Sequence, residues 1–198
     1  MRITFYVLLL LLVGCQTDPQ FVINGRLPDK TYDGEKIYLV PLENAVKERV
    51  DSTIIANGIF VFKGTSKASE IFIIRAKPVL RINLQELLVV KESGVITVSI
   101  GKKSSAGGTA LNDSLQQWKE KKAVADFLYE NLKHQFKMAN EADQAIFKRK
   151  ADSLNVQIVN FHYNFVRNNR NNVVGKFIKK MTESSFTPVQ KKELSIQR

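Results

Sequence analysis

Apolar and polar residues alternate with a spacing of two through most of residues 20–101, which is typical of strands that bury one face. About seven short segments of this kind are rich in Val, Ile and Phe. Turn pairs such as Pro28-Asp29, Asp33-Gly34 and Ser93-Gly94 separate them, and Pro78 divides two more. Because no helical pattern intervenes, residues 20–101 are predicted to form an antiparallel β-sandwich of about seven strands.

The pair Asn57-Gly58 is the clearest turn signal in this part of the chain. Both residue types tolerate positive φ, which a two-residue type I′ hairpin requires. In the strand that follows, Phe60 and Phe62 fall on one face, and the residues between and before them fall on the other. We therefore expect the two phenylalanines to face the core.

From residue 111 the apolar spacing changes to three, four or seven, which indicates helices. A break near Ala139, followed by Asn140 and acidic residues, predicts the start of a second helix and an antiparallel hairpin. The apolar positions are Leu111, Leu115, Trp118, Ala125, Leu128, Leu132 and Phe136 in the first helix, and Phe147, Ala151, Leu154, Ile158, Phe161 and Phe165 in the second.

Two shorter helices are predicted after the hairpin. The polar run 168–172 ends the pair, the segment "VVGKFIKKM" forms a third helix, and Thr187-Pro188 opens a fourth, with threonine as N-cap and proline at the first helical position. The fourth helix has no C-capping signal, so a longer protein is expected to continue here. The predicted class is α+β: a β-sandwich over 20–101, a polar Gly/Ser linker over 102–110 and a helical region over 111–198.

Positive charge is concentrated in the second half of the chain. The net charge is +11, and residues 102–198 hold 18 Lys/Arg and 9 Asp/Glu, against 12 and 10 in residues 1–101. A basic helical half is suited to an anionic polymer, anionic lipid headgroups or an acidic protein partner. A solvated, lysine-rich helix surface is the alternative.

The N-terminal tract ends in "LLLLLVGCQTD", residues 8–18, which contains the single cysteine of the chain, Cys15. Arg2 is followed by about a dozen apolar residues, which fits the length of a secretory signal and is too short for a spanning helix of about 20 residues. A buried globular helix is the alternative, but the tract has neither a polar face nor a cap. Residues 1–14 are therefore predicted to be a signal peptide.

The residues Leu12-Val13-Gly14-Cys15 resemble the bacterial lipobox. This resemblance implies cleavage between Gly14 and Cys15, acylation of Cys15 and a tether over residues 15–19, with the bilayer as partner. Several acyl chains hold a domain at a membrane where one chain binds only marginally. A free reactive thiol is the rival interpretation of Cys15. Because Gln16 does not resemble the inner-membrane retention signal, we expect the outer membrane, on either its periplasmic or its surface face.

The sequence points to no catalytic residue, metal site or cofactor. It lacks Cys-x-x-Cys, and in a hairpin that turns near Ala139 the two histidines, His134 and His162, would lie roughly 25 Å apart. His162 is expected to be a partly buried structural histidine, and Trp118 a core residue rather than a sugar-stacking one. Asp51 lies within a strand pattern, where an acid is unfavourable, so a turn or edge role is expected for it. No nucleic-acid-binding motif is present.

Several segments together resemble the N-terminal domain of unknown function 4369 (DUF4369) of Bacteroidetes-type envelope lipoproteins. They are "FVINGRL", "KIYLVPL", "VDSTIIANGIFVFKG", "VKESGVITVSI" and "GGTALND". The resemblance implies an envelope lipoprotein in which this region usually precedes a thioredoxin-like domain of the thiol-disulfide oxidoreductase class. It implies no catalytic role for the motif positions, which are Asp51, Ser52, Asn57, Gly58, Phe60, Gly64, Gly94, Gly108, Thr109 and Asn112.

The expected function is therefore non-catalytic binding or scaffolding at the cell envelope, with a protein or a polyanion as partner of the basic helical half. The alternative is an accessory or remnant module of a thioredoxin-like oxidoreductase whose catalytic domain is missing or separately encoded. A hydrolase that uses scattered carboxylates is the least favoured class.

Overall fold

The chain folds into eight strands followed by four helices in the computed structural model, which describes residues 19–76 and 86–196. The strands are β1 (Gln20–Arg26), β2 (Lys36–Pro41), β3 (Asp51–Ile54), β4 (Ile59–Thr65), β5 (Glu70–Ala76), β6 (Leu87–Lys91), β7 (Gly94–Ser99) and β8 (Ser105–Gly107). The helices are α1 (Ala110–Met138), α2 (Glu141–Asn169), α3 (Val173–Thr182) and α4 (Pro188–Ser195). The predicted α+β class is confirmed.

The strands form two sheets of four, with orders β4-β1-β7-β8 in the first sheet and β3-β2-β5-β6 in the second. One pairing differs from the antiparallel prediction: β1 and β7 run parallel, with Ile23 opposite Ile96. Between these strands the chain crosses to the second sheet twice, for β2-β3 and for β5-β6, and returns to the first sheet in between as β4. The remaining paired strands are antiparallel.

The main core lies between the two sheets. Phe60 and Phe62 are both buried in it with their rings edge to face, while Ile59 is exposed, so the predicted alternation along β4 is confirmed. Other buried residues of this core are Phe21, Ile23, Ile37, Leu39, Ile55, Phe72, Ile74, Leu87, Val89, Ile96 and Val98.

A second core lies on the outer face of β5 and β6, where the helices cover the second sheet. Ile71 and Val90 point toward this core, whereas Phe72 and Val89 next to them face the first. Both faces of these two strands are therefore covered, which explains why "LLVV" in β6 is continuously apolar. The helical side is completed by Leu115, Trp118, Tyr163, Val166, Val174, Ile178 and Phe186.

The helical hairpin is confirmed, with α1 ending at Met138 and Asn140 capping α2 by accepting a hydrogen bond from the Asp143 amide. The predicted apolar faces are less buried than their pattern suggests: Leu128 and Phe136 are 44 % and 39 % exposed. No side chain from 119 to 161 is fully buried. A two-helix hairpin has no third layer to cover these positions.

The shorter helices also begin where expected. Asn172 caps α3, and Thr187 forms a capping box with Gln190 at the start of α4. The predicted linker over 102–110 differs from expectation, because it contains β8, which adds to the first sheet beside β7. Several predictions lie outside the described residues: the signal peptide 1–14, cleavage between Gly14 and Cys15, Cys15 itself, most of the tether 15–19, and the turn at Pro78.

Candidate functional site

The Asn57-Gly58 turn connects the two sheets, because β3 belongs to the second sheet and β4 to the first. Its φ angles, 55° and 70°, are those of the predicted type I′ turn. The carboxylate of Asp33 accepts hydrogen bonds from the amides of Asn57 and Gly58, at 2.9 and 2.7 Å. The sequence indicated Asp33 only as part of the turn Asp33-Gly34, and not as a hydrogen-bond partner of the Asn57-Gly58 turn.

Three of the motif positions serve close packing around this turn. A Cβ on Gly58 would lie 2.8 Å from the carbonyl oxygen of Asp29, so no larger residue fits without a backbone shift. Phe60 lies against Gly25 of the neighbouring strand, and Gly64 leaves room for the ring of Phe21. These positions therefore shape the sandwich by close packing.

Asp51 and Ser52 lie on β3, an edge strand of the second sheet, which agrees with the edge role expected for Asp51. The Ser52 amide donates a hydrogen bond to Asp51 Oδ1 at 2.7 Å. A charge placed on an edge and bonded to its own backbone discourages pairing with a further strand. The pair therefore protects the sheet edge.

Asn112 forms the junction between the sandwich and the helices. It is 1 % exposed, its Oδ1 accepts a hydrogen bond from the Val90 amide at 2.8 Å, and its Nδ2 donates to the Val90 carbonyl at 2.7 Å. The same Nδ2 donates to Thr109 Oγ1 at 2.8 Å. Glu92 Oε1 accepts hydrogen bonds from the amides of Leu111 and Asn112 at the start of α1. The Asn112 carboxamide thus pairs with the backbone at the free edge of β6, as a further strand would.

The glycines of "GGTALND" and of the β6–β7 turn complete this junction. Gly108 has a φ of +95°, and a Cβ there would lie 2.8 Å from the carbonyl oxygen of Val95. Gly94 has a φ of +121° and lies against the methyl group of Thr109. The motif residues therefore gather at two structural junctions, and the structure does not bring them into one site.

Trp118 and His162 form the main polar contact of the second core. Trp118 Nε1 donates a hydrogen bond to His162 Nδ1 at 3.1 Å, and both residues are buried. Burial, followed by the nearby Lys122 ammonium, lowers the pKa of His162 from its ordinary value, while Asp126 opposes this. Both the core position of Trp118 and the structural role of His162 are confirmed.

Two other groups of the helical half have shifted pKa values. Burial lowers the pKa of Lys119 to about 8, against a raising influence from Glu120. The Tyr163 hydroxyl donates a hydrogen bond to Glu193, which raises the pKa of Tyr163 and ties α4 to α2. Among the described residues, no three His, Cys, Asp or Glu side chains are grouped as metal ligands would be. Within the same ranges, no helix is long and apolar enough to cross a membrane.

Residues 21–115 match the family model described as Domain of unknown function (DUF4369). This part of the chain is a DUF4369 domain. The match includes the sandwich and the first turns of α1, so it ends just after the Asn112 junction. It indicates no catalytic family. Comparisons with curated proteins and with solved structures found no match.

Outside the DUF4369 domain, the distal hairpin presents apolar side chains to solvent. Phe127 is 69 % and Met138 77 % exposed. Residues 123–155 contain five basic and five acidic residues, so this region has no net charge. We define the tip surface as Val124, Phe127, Leu128, Tyr129, Phe136, Met138, Ile146 and Val156, all of them largely exposed.

More than half of the net positive charge of the helical half lies elsewhere, around α3 and α4. Residues 167–193 contain seven basic and two acidic residues. One of these lysines, Lys180, forms an exposed ion pair with Glu43 at 3.0 Å. We define the basic surface as Arg167, Arg170, Lys176, Lys179, Lys180, Lys191 and Lys192. The apolar tip surface and the basic surface therefore lie on different parts of the helical half.

Proposed function

We propose that this protein is a lipid-anchored cell-envelope protein with a non-catalytic binding or scaffolding role, whose tip surface binds a protein partner. The observation that carries the proposal is the set of exposed apolar side chains on the distal hairpin, of which Val124, Phe127, Leu128 and Met138 share one face of α1. An exposed apolar patch on a projecting element is a feature of protein interaction sites. The balanced charge of residues 123–155 favours a protein over a polyanion as the partner at this place.

The dimensions support a binding arm. Each hairpin helix has 29 residues, about 44 Å at 1.5 Å per residue. The buried residues of α1 all lie between Asn112 and Trp118, so the last 20 residues of this helix, about 30 Å, project beyond the second core. Four residues separate Cys15 from Gln20, so five Cα-to-Cα steps join them, and an acylated Cys15 would hold β1 within about 18 Å of the bilayer.

Photo-crosslinking in cells tests the binding proposal. A photoreactive residue at Phe127 should capture a defined envelope protein, because this side chain has no partner layer in the described part of the chain. Val95 is the matched control, since it is also apolar and 56 % exposed but lies on the sandwich. A lack of capture at Phe127, or the same products at both positions, would contradict the proposal.

The identity of the captured protein separates scaffolding from the alternative function. A partner that carries Cys-x-x-Cys in a thioredoxin-like domain would support an accessory role in thiol-disulfide exchange. A partner without redox cysteines would support scaffolding.

The basic surface favours a second candidate function, binding of an anionic envelope polymer such as lipopolysaccharide. Such binding should weaken steeply as salt is raised. Replacing Arg170, Lys179 and Lys191 by Glu together should abolish it. The same replacement of Lys133, Lys137 and Lys148 on the neutral hairpin makes an equal change in net charge and should leave binding nearly intact. Equal loss in both triple variants would contradict a localised site.

The anchor requires its own test. Cys15→Ser should accumulate as an unprocessed precursor and incorporate no labelled fatty acid, because the acceptor sulfur is absent. Thr17→Ser, two residues away, is the control and should be processed normally. Labelling of Cys15→Ser at the normal level would exclude lipidation at this residue.

A further inference from the structure

A groove with a volume of about 320 Å³ lies between α3 and the second sheet, away from the tip surface. One wall is a single face of α3, formed by residues three or four positions apart: Val173, Lys176, Phe177 and Lys180. The opposite wall is the segment after β2 together with the start of β5. The apolar floor consists of Pro41, Leu42, Ile71, Val173 and Phe177.

The rim of this groove carries three cations and two carboxylates. Arg49 Nη2 pairs with Glu70 Oε2 at 2.7 Å, and Lys180 Nζ pairs with Glu43 Oε1 at 3.0 Å across the opening. The Lys176 side chain is exposed, and its ammonium makes no hydrogen bond or ion pair with the described residues. The rim therefore has one positive charge in excess, located one helical turn from Lys180 and beside the apolar floor.

The wall opposite α3 is held in place by Arg49. Its Nη1 donates to the carbonyl oxygens of Glu43 and Asn44, at 3.3 and 3.5 Å, in addition to the Glu70 contact. Asn44 adopts a φ of +53°, and the arginine contacts support this turn. A wall fixed in this way reduces the ordering cost of binding.

We propose that the groove binds a free single-chain amphipathic carboxylate. The alkyl chain lies on Leu42, Ile71 and Phe177, and the carboxylate is held between Lys176 and Lys180. If a methylene group takes about the 30 Å³ of a water molecule, the groove volume corresponds to a chain of about ten carbons. The ligand displaces Glu43 from Lys180, which costs little because both side chains of this exposed pair are well solvated.

Calorimetric titration of the mature protein with decanoate, below its micelle concentration, tests this site. We expect saturable binding at one site and weaker binding of decanol, which has the same chain without the charge. Lys176→Glu should weaken decanoate binding about fivefold or more, because it replaces an attraction with a repulsion. Lys148→Glu is the matched control: it makes the same charge change at an exposed helical position far from the groove and should bind like the wild type.

Three results would overturn the proposal: no saturable binding, equal binding of decanol, or equal weakening by Lys176→Glu and Lys148→Glu. A peptide with an apolar C-terminal residue provides a further arm. If this peptide binds more strongly than decanoate and Lys176→Glu abolishes its binding, the ligand of the groove is a peptide C-terminus and not an acyl chain. Because Lys176 is exposed, the charge variants should fold normally, and their thermal midpoints verify this. Crosslinking at Phe127 is independent of the groove, so failure of either proposal leaves the other testable.

Discussion

Asn112 pairs with Val90 through both polar groups of its carboxamide, at 2.7 and 2.8 Å, and so terminates the edge of β6. One side chain thereby satisfies two backbone groups of a strand whose residues are buried on both faces. The same residue lies in the first turns of α1, so the contact fixes where the hairpin leaves the sandwich.

We expect Asn112→Ala to destabilise the protein by about 2–4 kcal/mol, because the buried amide and carbonyl of Val90 lose their partners. Urea unfolding measured by circular dichroism tests this value. The control is Gln117→Ala on the exposed side of the same helix, which should change stability by less than about 0.5 kcal/mol. A similar small effect for Asn112→Ala would show that the pairing contributes little.

A comparison of alanine variants at Gly58 and Gly34 separates the energetic cost of backbone strain from the cost of a steric contact. Both have positive φ, +70° and +86°, but a Cβ on Gly34 meets nothing within 4 Å, whereas one on Gly58 lies 2.8 Å from the Asp29 carbonyl oxygen. Gly34→Ala should therefore cost about 1 kcal/mol for the left-handed conformation alone. Gly58→Ala should cost at least about 1 kcal/mol more, since the turn must also shift. Equal urea midpoints of unfolding for Gly34→Ala and Gly58→Ala would contradict the steric explanation.

His162 should make the protein less stable in mild acid. Its folded-state pKa is lowered below its ordinary value of 6.5, so the unfolded chain binds more protons as the pH falls below about 6.5. Protonation of Nδ1 also removes the acceptor of the Trp118 hydrogen bond. The contribution of His162 to the free energy of unfolding should be constant above pH 7 and should fall from pH 6.5 downward until the folded-state pKa is passed.

A comparison of two glutamine variants isolates this contribution. His162→Gln retains an acceptor for Trp118 and should flatten the pH dependence between 5 and 7. His134→Gln, on the exposed distal hairpin, should leave the dependence unchanged. If both variants keep the wild-type slope, other groups cause the loss of stability in acid.

Lys119 should be a destabilising charge at neutral pH. Burial lowers its pKa to about 8 from 10.5, so the unfolded chain binds the proton more tightly and stability rises from pH 8 toward 10.5. Lys119→Met should therefore stabilise the protein at pH 7 by on the order of 1–2 kcal/mol after solvent screening. This gain should shrink as the pH approaches 10. Lys121→Met, at an exposed position, should show no such pH-dependent gain.

Features that depend on neighbours within a few residues were readable from the sequence. The Asn57-Gly58 turn, the alternation along β4, the caps at Asn140 and Thr187, and the hairpin break near Ala139 all have local causes. Backbone φ preferences, side-chain periodicity and capping hydrogen bonds act over one to four residues. Their outcome does not depend on the rest of the fold.

The continuous apolar run in β6 could have predicted one further feature, the burial of this strand on both faces. A strand with apolar residues at both odd and even positions indicates burial on both faces. Read in this way, Leu87–Val90 could have predicted that the helices pack on the second sheet opposite the sandwich core.

Other features were decided only by the tertiary structure, because they depend on residues far apart in the chain. The parallel pairing of β1 with β7 and the addition of β8 follow from the path of the chain between two sheets. Asp33 reaches the turn at Asn57 across 24 residues, and Asn112 reaches Val90 across 22. The spacing of apolar residues in α1 and α2 predicted two helices. It did not show how little of their length another layer covers, because burial is set by what packs against a face and not by the pattern of that face.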